Sequence, residues 1–192
     1  MTIKWEYVIT EVVYRKFSRP IARFLAKFNV NPTLITFIAT FVGLFSGYLI
    51  AMGEIYKGVV VLFVSQILDC VDGDLARITN RVTKVGGFLD RVFDRFVDAA
   101  IIMGIIALSP SDLWLVGTLA IVGSFGVSMS RAMAEAEGAV CKVGIGGRDT
   151  RLAIIMIGLI LNYYFATLLI VAILGFITTI HRIVHTLKQL VS

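Results

Sequence analysis

Apolar segments long enough to cross a membrane recur along almost the whole of this chain. Of its 192 residues, 58% are hydrophobic and only 16% are charged, and its mean hydropathy is +0.89. Soluble domains carry about a quarter charged residues. The sequence therefore predicts an all-α integral membrane protein. No Pro/Ser-rich linker or second composition regime interrupts the apolar runs, so we expect one domain over residues 1–192.

Six membrane-spanning helices are predicted between about residues 33 and 186. An N-terminal amphipathic helix over about residues 4–28, with large apolar residues among lysines and arginines, is predicted to lie in the membrane interface. Residues 152–180 are almost entirely apolar and could form one long helix or two short ones. Residues 162–164, Asn-Tyr-Tyr, offer a turn, and two helices return Arg182 and Lys188 to the side of the other basic residues. We therefore predict two helices there.

The basic residues are distributed unevenly about these spans. With six spans, every Lys and Arg except Lys57 falls on one side or at helix ends that open to it, and the positive-inside rule assigns that side to the cytoplasm. Both termini are then cytoplasmic in an integral cell-membrane protein, as is a mobile basic loop predicted over residues 138–150. The net charge of +5 does not indicate nucleic-acid binding, because the basic residues flank apolar spans instead of forming a soluble patch.

Four aspartates stand at helical spacing inside this apolar sequence. On a helix, each of two segments presents one polar face. The first face carries Asp69, Asp72, Gly73, Ala76 and Arg77, and the second carries Gly86, Asp90 and Asp94. Ionised groups at membrane depth are costly unless they pair or bind metal. The two faces are therefore expected to meet across a polar cavity that opens towards the cytoplasm and holds cations.

The chemistry of this constellation suits phosphoryl groups. Carboxylate oxygens favour Mg²⁺, Mn²⁺ or Ca²⁺ over zinc or copper. Four acids can hold two divalent ions, the arrangement that clamps phosphoryl oxygens during an in-line displacement. Gly73 and Ala76 leave room for a bulky ligand beside the acids, and Arg77 offers bidentate charge to a phosphate. These parts fit a diphosphate-containing substrate.

The pattern Asp69-x-x-Asp72-Gly73-x-x-Ala76-Arg77, eight residues, Gly86-x-x-x-Asp90-x-x-x-Asp94 resembles the signature of the CDP-alcohol phosphotransferases (CDP-alcohol phosphatidyltransferase family), with every signature position present. The resemblance implies a metal-dependent homodimeric membrane enzyme of phospholipid biosynthesis. Such an enzyme moves a substituted phosphate from a CDP-linked donor to an alcohol and releases CMP. By the same resemblance, two ions, Mg²⁺ or Mn²⁺, would be held by Asp69, Asp72, Asp90 and Asp94, and the CDP site would be formed by Asp72, Gly73, Ala76, Arg77 and Gly86. Asp94 would also be the base for the acceptor hydroxyl.

Three arginines predict an anionic acceptor. Arg131 lies near the end of the fourth predicted span, Arg148 lies in the following loop and Arg151 lies at the start of the fifth span, all on the predicted cytoplasmic side. Their segments resemble those of family members that use inositol phosphate. The resemblance implies a phosphorylated polyol as acceptor, whereas the alternative interpretation is that these arginines only set membrane topology.

Two alternatives remain open from the sequence. The donor could be a CDP-lipid or a soluble CDP-polyol, because the signature corresponds only to the CDP part of the donor, which both share. A cation transporter could also use an acidic cluster as its ion site. Arg77 argues against a transporter, since a fixed positive charge hinders a cation path but favours a bound diphosphate.

Overall fold

The computed structural model describes residues 10–191, and all the regular structure in that range is helical. The helices form two compact units, which are described separately. The first unit contains a π-helical segment, Thr10–Tyr14, and the helices α1 (Arg15–Lys27), α2 (Pro32–Ala51), α3 (Ile55–Ile78) and α4 (Lys84–Leu108). The second contains α5 (Pro110–Ala136), α6 (Arg148–Ile160) and α7 (Tyr164–Val191).

The helix ends follow from local sequence. Asn31 caps α2 by accepting a hydrogen bond from the Thr33 amide at 3.0 Å, and Pro32 occupies the first helical position, where its missing N–H costs nothing. Five helices end just before a residue in the left-handed conformation, which suits Gly and Asn. These residues are Asn29, Gly53, Asn80, Gly138 and Asn162.

The first unit is held together by close helix packing in which small residues take part. A Cβ atom on Gly47 of α2 would lie 2.7 Å from the Ala100 carbonyl oxygen of α4, and one on Gly43 would lie 2.7 Å from the Val97 side chain. Helices in membranes commonly pack through such small residues, because these let two backbones approach closely. The α2 to α4 contact thereby supports the acid-bearing helix α4.

Helix α1 packs against α3 through one side only. Ser18 and Ala22 are fully buried, and Ala22 joins a cluster with Ile35, Val71 and Leu75. An adjacent side exposes the large apolar residues Phe17, Ile21 and Phe24, and Phe28 follows directly after the helix. Part of the predicted interfacial helix, residues 4–9, lies outside the described residues.

In the second unit, α7 packs along α5, where Gly123 and Gly175 come together: a Cβ on Gly175 would lie 2.7 Å from the Gly123 carbonyl carbon. The chain after residue 147 forms two helices with a break at residues 161–163, as the sequence predicts. With 13 residues, α6 is only about 20 Å long, shorter than a hydrocarbon core of about 30 Å.

Among the described residues, three helices are long and apolar enough to cross a membrane: α2, α5 and α7. Their presence supports membrane association, and the count of six crossings stays a prediction.

The loop between α5 and α6 is joined to α7 by hydrogen bonds, and its mobility stays a prediction. Val140 exchanges two 3.0 Å hydrogen bonds with the Gln189 side chain, and the Gly146 amide donates to the Thr178 hydroxyl at 2.9 Å. The buried Arg182 donates to the carbonyl oxygens of Val127 and, at 2.9 Å, Val143. Helix α7 therefore contacts this loop along one side. The bonding partners on α7 lie 32 to 49 residues away in the chain, so the glycines of the loop alone do not reveal them.

Candidate active site

Three of the four signature aspartates converge in the first unit. Asp69 lies on α3, and Asp90 and Asp94 lie one turn apart on α4. Each is half-buried, and each offers a carboxylate oxygen so that the three oxygens all lie within 4.8 Å of one another. This geometry is consistent with the prediction that the polar faces of α3 and α4 meet.

These three carboxylates have the donor set and spacing of a site for hard cations. Oxygens bound to one Mg²⁺ at about 2.0–2.1 Å lie at most about 4.2 Å apart, so a small contraction would let this group share one ion. Several carboxylates this close repel one another, and partial burial weakens the screening of that repulsion. A bound divalent ion offsets the electrostatic repulsion among the three carboxylates. The residues therefore fit a divalent metal.

Asp72 occupies a different position from the other three acids. It is buried, with 8% of its surface exposed, and its Oδ2 atom has no hydrogen-bond partner within residues 10–191. It interacts electrostatically with Asp90 and Asp94, yet it lies outside the group whose oxygens approach within 4.8 Å. A buried carboxylate oxygen without a partner is costly, so a cation beside it would be stabilising. Whether Asp72 binds the metal directly stays a prediction.

The predicted CDP-site residues border these acids on the same helices. The Arg77 guanidinium lies over Gly73: a Cβ atom there would be 3.4 Å from Nη2 and 3.6 Å from Nη1. Ala76 is half-buried on the same helix. Gly86 lies in the first turn of α4, where its amide donates to the Thr83 hydroxyl at 3.0 Å. A Cβ on Gly86 would meet that hydroxyl at 3.1 Å, so the cap favours glycine.

The sequence predicts that Asp74 and Asp98, which lie outside the signature, are helix-end or pairing acids, and both form ion pairs. Asp74 accepts a hydrogen bond from Arg77 at 2.8 Å. Arg95 lies 3.4 Å from Asp94 and 3.8 Å from Asp98. The sequence spacing identifies the partners of these acids. Asp74 and Arg77 are three residues apart, as are Arg95 and Asp98, and residues at this spacing are neighbours on a helix.

The three arginines predicted to bind the acceptor lie in the second unit. Arg148 and Arg151 occupy the first turn of α6, and Arg131 lies near the end of α5. Arg151 is buried and donates to the Gly146 carbonyl oxygen at 2.6 Å. Arg131 pairs with Glu135 at 2.8 Å and keeps about a third of its side chain exposed. Each therefore has a structural contact besides any role with a substrate.

Comparison with known proteins matches residues 29–184 to the family model described as CDP-alcohol phosphatidyltransferase. An archaetidylinositol phosphate synthase of Pyrococcus horikoshii is 37% identical over 179 residues, which is 91% of this chain and 95% of that protein.

A crystal structure of Mycobacterium tuberculosis phosphatidylinositol phosphate synthase with CDP-DAG bound matches with a TM-score of 0.81 and 27% identity. The match covers 88% of this chain and 92% of that one. A second structure of the same enzyme, in complex with manganese and citrate, also has a TM-score of 0.81, at 26% identity over 88% of each chain. The signature, the fold and these relatives agree, and the chain belongs to the CDP-alcohol phosphatidyltransferase family.

Proposed function

We propose that this protein transfers a substituted phosphate from a CDP-linked lipid to a hydroxyl group of an inositol phosphate and releases CMP. The observation that carries the proposal is the group of Asp69, Asp90 and Asp94, whose oxygens lie within 4.8 Å of one another beside the remaining signature residues. The similarity to an archaetidylinositol phosphate synthase and to a phosphatidylinositol phosphate synthase supports both substrates.

The donor occupies the face formed by Asp72, Gly73, Ala76, Arg77 and Gly86. The likeness to the enzyme with CDP-DAG bound favours a lipid donor over a soluble CDP-polyol. The Arg77 guanidinium lies over Gly73, and its N–H donors that Asp74 does not occupy bind the diphosphate. The two Mg²⁺ or Mn²⁺ ions, held by Asp69, Asp72, Asp90 and Asp94, would neutralise the phosphoryl oxygens when bound.

In the reaction, the acceptor hydroxyl oxygen forms a new bond to the phosphorus that carries the lipid alcohol. The bond between that phosphorus and the bridging oxygen breaks, and the oxygen leaves as part of CMP. Asp94 accepts the proton of the hydroxyl. Arg95, 3.4 Å from one Asp94 oxygen, restrains the orientation of this carboxylate.

Replacing Asp94 with Asn is expected to lower kcat by about 10²- to 10⁴-fold, the usual worth of a general base. Donor affinity should change far less, because Asn retains the size and one oxygen of Asp. Turnover is measured as CMP release, and donor affinity is measured separately by equilibrium binding. A loss confined to affinity would leave Asp94 as a metal ligand only.

The acceptor phosphate is assigned to Arg131, Arg148 and Arg151. These side chains bring three positive charges from the end of α5 and the first turn of α6. Charge-assisted hydrogen bonds to a phosphate are worth roughly 1.5 to 3 kcal/mol each. Binding of the acceptor phosphate by these arginines predicts a preference for inositol phosphate over free inositol or serine.

Replacing Arg131 with Ala is expected to raise the acceptor KM about tenfold or more while donor affinity stays unchanged. Arg151→Ala should do the same but also lower stability, because Arg151 is buried and bonded to Gly146. Lys142→Ala is the control, since it removes an exposed positive charge from the α5 to α6 loop. Unchanged kinetics with altered insertion would instead assign the arginines to topology.

The proposal includes the membrane arrangement. Helices α2 to α7 cross the bilayer six times, and α1 lies in the interface with its exposed apolar residues towards lipid. Both termini and the site face the cytoplasm, and the chain acts as one domain in a homodimer.

The test is to incubate the purified protein with a panel of CDP-linked donors and phosphorylated or free alcohols and to follow CMP. Release that requires both a CDP-lipid and inositol phosphate is the expected result. A preference for CDP-inositol would reverse the donor assignment, and release from no donor would favour a cation transporter.

A further inference from the structure

One buried carboxylate beside the site makes two contacts that the reaction outlined above does not use. Asp74 is 7% exposed and lies on α3 between the signature residues Gly73 and Arg77. Its Oδ1 atom accepts a hydrogen bond from Arg77 Nη2 at 2.8 Å. Its Oδ2 atom accepts one from the Ser18 hydroxyl of α1 at 2.6 Å. One carboxylate thus joins the donor-site arginine to the N-terminal helix.

The two side chains that Asp74 joins, Arg77 and Ser18, differ in how exposed they are. The Arg77 side chain is 57% exposed, whereas Ser18 is fully buried where α1 packs against α3. An exposed ion pair three residues apart on a helix usually contributes little, because both side chains must be ordered. Here the acid is already fixed by burial and by Ser18, so only the arginine remains to be ordered.

The bond to Asp74 also determines where the Arg77 guanidinium lies. With Nη2 bonded to Asp74, the guanidinium lies across Gly73, close to where a Cβ would stand. Arginine carries about 2 kcal/mol of rotamer entropy. Fixing its orientation before the ligand arrives removes part of the ordering cost of binding.

We propose that Asp74 is a positioning residue for the donor: it holds Arg77 over Gly73, and Ser18 of α1 holds Asp74. The inference rests on the proposed function, because it takes Arg77 to contact the CDP-linked donor. It gives α1 a part in donor recognition although no residue of α1 belongs to the signature.

The test is a double-mutant cycle on the full-length protein, with CDP-DAG as the donor probe and CMP release as the readout. Asp74→Ala should raise the donor KM about tenfold, and Ser18→Ala should raise it about threefold. The acceptor KM and the Mn²⁺ concentration for half-maximal activity should stay unchanged. Asp74→Asn, which can still accept from Arg77, should restore most of the donor affinity.

In an Arg77→Ala background, Asp74→Ala should change the donor KM less than about twofold, because the group through which it acts is gone. Glu54→Ala is the matched control, since it removes another acid–base pair spaced three apart, Glu54 and Lys57 at 3.0 Å, from the far end of α3. Thermal unfolding of every variant identifies losses that come from misfolding.

The outcomes separate this inference from the function. If Arg77→Ala raises the donor KM but Asp74→Ala and Asp74→Asn leave it unchanged, the positioning role is wrong and the donor site stands. Equal effects of Asp74→Ala with and without Arg77 also overturn the role. If Arg77→Ala has no effect on the donor KM, the donor assignment of Arg77 fails as well.

Discussion

Excess chelator should abolish CMP release by this protein, and Mn²⁺ or Mg²⁺ should restore it. The expectation follows from Asp69, Asp90 and Asp94, whose oxygens lie within 4.8 Å of one another with no Cys or His in the group. A metal ion contributes several kcal/mol of charge stabilisation to phosphoryl chemistry. Each 1.36 kcal/mol is a factor of ten in rate, so its removal costs at least about 10³-fold.

The measurement is CMP release in chelator, followed by back-titration with each ion. Equilibrium binding of Mn²⁺, followed by its magnetic resonance signal, counts the ions independently of activity, and two per chain are expected. Thermal unfolding in chelator shows whether the protein remains folded without metal. Full activity in excess chelator with no bound ion would exclude a metal-dependent reaction.

The acidic group could be predicted from sequence because it depends mainly on helical geometry. Residues three and four apart share a helix face, so the spacing of Asp90 and Asp94 fixes their relation before any tertiary structure is known. The apolar surroundings then supply the reason for the two faces to meet. The structure adds that Asp72 is set apart from the other three, which depends on side-chain placement and not on spacing.

Several helix ends could be anticipated for the same local reason. The break at Asn162 could be predicted because Asn-Tyr-Tyr offers a turn with aromatic interface anchors and because two helices return Arg182 and Lys188 to the basic side. The structure adds that Asn162 is left-handed. The number of membrane crossings is harder to predict. Helices α3 and α4 carry the charges of the site and α6 has only 13 residues, so within residues 10–191 hydropathy and length identify only α2, α5 and α7.

The remaining features join residues that are distant in sequence. Arg182 reaches Val127, 55 residues earlier, and Ser18 reaches Asp74, 56 residues later. No local pattern distinguishes these side chains from other arginines and serines near helix ends. Their role follows only from the packing of α7 against α5 and of α1 against α3.

The strongest test of the site itself is the replacement of single aspartates. Asp69→Asn and Asp90→Asn are each expected to lower kcat/KM by about 10³-fold or more, which is the loss expected when the metal is removed. An amide has nearly the volume of the carboxylate but carries no charge and has one oxygen fewer. These two acids lie on different helices, so the two substitutions test the contributions of α3 and α4 to the group separately.

Asp98→Asn is the matched control, because Asp98 is a buried acid on the same helix as Asp90 but lies outside the group of three. It should retain Mn²⁺ binding and most of the turnover, although its contact to Arg95 is weakened. Mn²⁺ binding and CMP release are measured on all three variants, together with thermal unfolding to confirm that each is folded. If Asp69→Asn and Asp90→Asn bind Mn²⁺ and turn over as well as Asp98→Asn does, the metal belongs elsewhere in the protein and the assignment of this site is wrong.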